Sequence, residues 1–128
     1  AKWHMFSKHT RTAYHVGRVS VYPVSGIDFI ESVVSSKGVL CGAGFETPAE
    51  VLHMHKKLLV VPMKSQYEQQ CNAAALKKLG VPVIKKVKKK SLKKIERWME
   101  EDKPLDIHYP DIAADAVERL MRKFAPEI

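Results

Sequence analysis

"CGAGFETPAE", residues 41–50, decides how the rest of the chain reads. It closes an apolar run that has the composition of a buried strand. Two glycines then flank an alanine, and Thr47-Pro48-Ala49-Glu50 opens a helical period. A hydroxyl residue followed three places later by an acid is the pattern of a capping box, in which each side chain satisfies a free N–H of the other's turn. Pro48 falls at the expected first helical position, where a missing N–H costs nothing. Gly42 and Gly44 would leave backbone N–H groups uncovered at the start of that helix, and such a site attracts phosphate through aligned dipoles and free donors. On spacing alone two alternatives stay open. The glycines could serve only to let strand and helix pack closely. Glu50 could be either the cap partner or a carboxylate that accepts from two neighbouring sugar hydroxyls.

The same arrangement occurs three times. "VSVYPV" precedes Ser25-Gly26-Ile27-Asp28 and the helical stretch "DFIESVVSS"; "GVLCGAG" precedes Thr47 to Glu50 and "EVLHMHK"; "LLVVPM" precedes Ser65-Gln66-Tyr67-Glu68 and "QQCNAAALKKLG". Alternating strands and helices at this spacing predict βα units on a parallel sheet. The strands are continuous apolar runs, as a sheet covered on both faces requires. "WHMFS" (3–7) reads as a further strand and "VPVIKKV" (81–87) as the last one. Helices over 91–102 and 111–124 follow, joined by the loop "KPLDIHYP", and Gly80 is placed to end the third helix. No linker rich in glycine or serine divides the chain, so residues 1–128 are expected to form a single domain. Ligands of open parallel sheets bind beyond the carboxyl ends of the strands, where all three expected boxes lie.

With 128 residues and 45% hydrophobic content the chain can bury a core. No apolar run is long enough to span a membrane. Two cysteines, Cys41 and Cys71, lack metal spacing and fit reduced thiols in a cytoplasmic chain. The histidines form no HExxH, and His53 and His55 would face different sides of a helix, so no metal site is expected. The net charge of +8 is concentrated: residues 77–94 carry nine lysines and no acid, which leaves 13 basic against 14 acidic residues elsewhere. Lys85 to Lys94 could meet an anionic membrane surface, bind nucleic acid without sequence preference, or form an ordinary solvated face. The absence of aromatic residues among them speaks against nucleic acid.

Residues 19–84 resemble the C-terminal, donor-binding half of GT-B glycosyltransferases. Ala43-Gly44, Thr47-x-x-Glu50, Val51-Leu52, Lys56, Pro62, Glu68-Gln69, Asn72-Ala73 and Leu79-Gly80 follow that half's pattern in order and with matching gaps. The resemblance is to the lipid-linked N-acetylglucosaminyltransferases, the glycosyltransferase family 28 C-terminal type, and to the wider UDP-glycosyltransferase group. It implies a Rossmann-like α/β fold and a nucleotide-sugar donor, with UDP the expected nucleotide and inversion the favoured outcome. By the same resemblance Gly42, Ala43, Gly44, Phe45 and Thr47 hold the diphosphate, and Glu50 binds ribose. Glu68 and Gln69 bind the transferred sugar, and Tyr22 and Ser25 border the base.

Departures qualify these roles. Gly42 stands where many relatives have a phosphate-touching histidine, and the usual Gly-Lys-Pro turn reads His55-Lys56-Lys57. The family needs no metal for the diphosphate, and Asp-x-Asp is missing, so no cofactor is expected. The acceptor-binding half that supplies the general base is expected to precede this chain, which leaves no catalytic residue here. The chain thus reads as the donor domain of a hexosyltransferase-type enzyme, inactive alone, cytoplasmic or peripheral to a membrane. A nucleotide-sugar epimerase of similar architecture and a basic nucleic-acid-binding module are the rival readings.

Overall fold

The computed structural model describes residues 1–125. In chain order it contains β1 (Trp3–Ser7), β2 (Tyr14–Val16), β3 (Val19–Pro23), α1 (Gly26–Ser35), β4 (Gly38–Gly42), α2 (Glu46–His53), β5 (Lys57–Val61), α3 (Tyr67–Lys78), a 3-10 turn (Lys89–Ser91), α4 (Leu92–Glu100) and α5 (Ala113–Phe124). β1 pairs parallel with β3, and β4 pairs parallel with β5. The fold is the expected α/β, Rossmann-like arrangement of parallel strands flanked by helices.

The strands make layers because alternate side chains leave a strand on opposite faces. From β5, Leu58 and Val60 enter one cluster, together with Val33 of α1, Val51 and Leu52 of α2, and Ala73 of α3. Leu59 enters the other, with Ile84 and with Ile95 and Trp98 of α4. Leu59 and Val60 are fully buried, one toward each layer. β4 divides in the same way: Val39 and Cys41 face the three-helix layer, and Leu40 faces α4.

Two consecutive lysines fasten the ends of these layers. Lys56 Nζ donates to the carbonyls of Val34 and Ser36 at the end of α1, at 2.7 and 2.6 Å. Lys57 Nζ donates to the carbonyls of Trp98, Met99 and Glu101 at the end of α4, at 3.0, 2.8 and 2.8 Å. Helix C-termini carry unpaired carbonyls and partial negative charge, so an ammonium satisfies both needs at once. Gly38 lies beside this junction. A Cβ there would stand 2.9 Å from Lys57 Cβ and 3.0 Å from Trp98 Cζ2, so the close approach leaves room for glycine alone.

Four expectations change. The strands pair as two separate sheets, β1–β3–β2 and β4–β5, and β2 runs antiparallel to β3 through a hairpin at Gly17 and Arg18, so the first sheet is mixed. Residues 81–87 are not a strand: only Val83 bridges, to Val60. Pro82 has no N–H to give, and the lysines that follow would have to be buried for pairing to continue. Of the three expected capping boxes only the first forms, and only by half: Ser25 Oγ accepts from Asp28 N at 3.4 Å, and the Asp28 carboxylate accepts from the Ser25 hydroxyl at 3.2 Å instead of from its backbone N–H. α2 begins at Glu46, which places Thr47 and Pro48 inside its first turn, and α3 begins after Ser65, which lies at φ 65°; neither helix has a side-chain cap.

Gly80 does end α3. At φ 95° it donates to Lys77 O while Val81 N donates to Leu76 O, both at 3.0 Å, the paired bonds of a Schellman motif. α5 buries no residue.

Lys57→Met should lower stability by about 1–3 kcal/mol, because three carbonyls at the end of α4, two of them part-buried, lose a charged donor. Lys85→Met, on an exposed lysine, should stay within about 0.5 kcal/mol. Equal urea midpoints for the two variants would show that the Lys57 contacts contribute nothing.

Candidate functional site

Beyond the carboxyl end of β4, the stretch Cys41–Pro48, Ala43 excepted, joins Gln69 to line an open groove of about 390 Å³. Its floor is backbone. Gly42 and Gly44 have no positive φ. A Cβ on Gly44 would meet nothing within 4 Å, and one on Gly42 would make only ordinary contacts, 3.6 Å to Gln69 Oε1 and 3.9 Å to Val61 O. Neither the backbone conformation nor the packing demands glycine at these positions. What a side chain would occupy there is the groove.

The wall is the head of α2. Phe45, the residue before it, is 77% exposed and makes no side-chain cap. The N–H groups of Glu46 and Thr47 belong to a first turn without intrahelical acceptors, and the helix dipole adds positive potential there. Gln69 closes the far side: its Oε1 accepts from Met63 N at 2.9 Å, which fixes the β5–α3 connection. Asn72 Nδ2 donates to Ala43 O at 3.0 Å, so α3 also holds the backbone between the two glycines. Ala43 itself is fully buried and faces the core.

Of the ten residues expected from the sequence, the structure therefore brings Gly42, Gly44, Phe45, Thr47 and Gln69 to one groove. Ala43 lies beneath it. Glu50 is exposed one turn further along α2, and Glu68 is exposed in the first turn of α3; neither lines the groove. Tyr22 stacks on Phe6 at 5.4 Å, and Ser25 is engaged in capping α1; both lie outside the lining. Cys41, Glu46 and Pro48 line the groove without having been singled out. The signal for them was the helix start, displaced by the expected capping box. The exposed lysines of 85–90 take no part in the lining.

The family model described as "Glycosyl transferase family 1" matches residues 6–101, three quarters of the chain. The chain belongs to glycosyl transferase family 1. No curated protein and no solved structure matches it. As a GT-B glycosyltransferase domain it has glycosyl transfer as its chemistry and a nucleotide sugar as its donor class. The match spans both the groove and the two-layer core around β5. No helix among the described residues is long and apolar enough to cross a membrane.

Cys41 lines the end of the groove while its side chain packs against the three-helix layer. Burial pushes its pKa from 9.0 up to about 11, because the thiolate would lose hydration in apolar surroundings. The thiol is therefore neutral through physiological pH. Between pH 9 and 11 the unfolded chain ionises before the folded one, so this contribution to stability is intact below pH 9 and is lost as pH rises through 11. Across that interval the wild type should lose on the order of 2 kcal/mol more than Cys41→Ala, measured by urea unfolding at each pH. Parallel losses in both proteins would contradict the assignment.

Proposed function

We propose that the domain binds a UDP-sugar with the diphosphate against the head of α2, as the donor half of a hexosyltransferase-type enzyme. The observation that carries this reading is the pair Gly42 and Gly44, kept free of side chains where neither backbone nor packing requires it, directly before an uncapped helix start. Phosphate oxygens accept from first-turn N–H groups, and Thr47 adds a hydroxyl donor. As the bond from the anomeric carbon to the diphosphate breaks, negative charge grows on the leaving phosphate. Donors already in place stabilise it at that moment without reorganising, which is the most productive form of electrostatic catalysis. Uridine and the hexosyl group rest on the resemblance to UDP-glycosyltransferases.

In this reading Glu50 reaches the ribose hydroxyls as the nucleotide extends past the first turn of α2. Glu68 and Gln69 meet the sugar, Gln69 through its amide N–H, since its oxygen is engaged by Met63. The acceptor and its general base belong to a second domain facing the groove. Transfer needs both substrates held together with a base in hydrogen-bond reach, so the 128 residues bind donor and transfer nothing.

The test is calorimetric and NMR titration with UDP, a UDP-sugar and inorganic pyrophosphate. Gly44→Val should keep the fold, because there is open space at its Cβ, and should weaken all three ligands about tenfold or more. Glu50→Ala should weaken UDP by about 1–2 kcal/mol, the worth of a charged hydrogen bond, and leave pyrophosphate unchanged. Shifts that cluster away from 42–48, or UDP binding indifferent to Gly44→Val, would overturn the proposal.

A further inference from the structure

His55, Asp106 and His108 come together at the other end of α2. Their ligand atoms all lie within 4.8 Å of one another. His108 Nε2 stands 2.5 Å from Asp106 Oδ1, and the His55 and His108 rings are 4.8 Å apart between centroids. All three side chains are exposed, so the small rotations that separate donors to the roughly 3.4 Å spacing of a tetrahedral ion meet little resistance. We propose that this cluster is a binding site for a divalent transition metal, zinc foremost, with water as the fourth ligand.

The backbone behind the cluster is anchored on both sides. His55 occupies the residue just past the end of α2 at φ 54°, where its N–H donates to Leu52 O at 3.0 Å and that of Lys56 donates to Val51 O at 3.1 Å. This is the same paired closure that ends α3, with histidine where glycine is the usual occupant. The other two ligands come from the segment between α4 and α5. There Leu105 and Ile107 pack against the core, while Asp106 and His108 alternate with them and remain exposed. The alternation presents both ligands on the side away from the core, against His55.

The donor set selects the ion class. Two imidazoles and one carboxylate suit zinc and its transition-metal neighbours, whereas calcium and magnesium take oxygen ligands. The location bears on the role. α2 has eight residues, so the cluster lies about 12 Å along the helix from its start, at the end opposite the groove. A metal at this place would tie residues 101–112, the connection to α5, onto the α2–β5 turn. Sequence spacing does not signal it, because His55 is about fifty residues from its partners and no short motif joins them.

The experiment is titration of the whole chain with zinc and, for its visible spectrum, cobalt, in calorimetry and thermal melts. One metal should bind per chain and raise the Tm. His108→Ala and Asp106→Asn should each weaken binding at least tenfold. His55→Gly gives the cleanest variant: glycine fits the positive φ, so the metal-free Tm should hold or rise while the affinity and the metal-induced rise in Tm are lost. His53→Ala, two residues earlier at the end of α2, should bind as the wild type does. Absence of binding at a hundred micromolar zinc, or binding that survives both His55→Gly and His108→Ala, would overturn the site.

Discussion

β5 is buried on both faces, and most of the structure follows from that constraint. Leu58 and Val60 close the layer of α1, α2 and α3, while Leu59 closes the layer of α4. Each such side chain contributes about 1.5–3 kcal/mol by leaving water, but only if both layers are present. Lys57 begins the strand, Lys56 immediately precedes it, and the two side chains point to opposite layers. One ammonium reaches the end of α1 and the next reaches the end of α4. A single five-residue strand thus determines where helices on both sides of the sheet must stop.

The groove is a consequence of the same register. β4 pairs with β5 from Gly38–Lys57 to Gly42–Val61, so the strands end together. The chain leaves β4 through Ala43, which turns into the core, and the flanking glycines are left as a bare floor. α2 must begin at once to return Val51 and Leu52 to the first layer. Its free first turn is thereby brought to the sheet edge. Asn72 and Gln69 tie the two connections at that edge to α3. The head of α2 is therefore positioned by hydrophobic packing, with Asn72 and Gln69 holding the backbone on either side of it.

The parts of this legible in the sequence were those fixed by local pattern. Apolar runs of five residues gave the strands, and the glycine after α3 gave its end. The Thr47 and Ser65 boxes misled because the same residues satisfy two patterns. Burial of Pro48 and Val51 set the start of α2 one residue before Thr47, and a positive φ at Ser65 took it out of capping range. The run 81–87 had strand composition, but Val81 was needed to close α3 and Pro82 could not donate. Lys56 and Lys57 read as a departure from a family turn; their function depends on helix ends 20 and more residues away, which no window of sequence joins. Gln69 stood out as a first-turn amide that no cap needs and Asn72 by resemblance, and their backbone partners became visible only with the fold.

The diphosphate site proposed for the domain rests on the bare glycines and the uncapped head of α2. A crystal structure of the chain with UDP tests it most directly. Phosphate oxygens are expected at about 2.7–3.2 Å from the N–H groups of Glu46 or Thr47, over Gly42 and Gly44, with ribose toward Glu50. UDP seated instead along the lysines of 85–94, or a diphosphate that leaves the head of α2 empty, would contradict it.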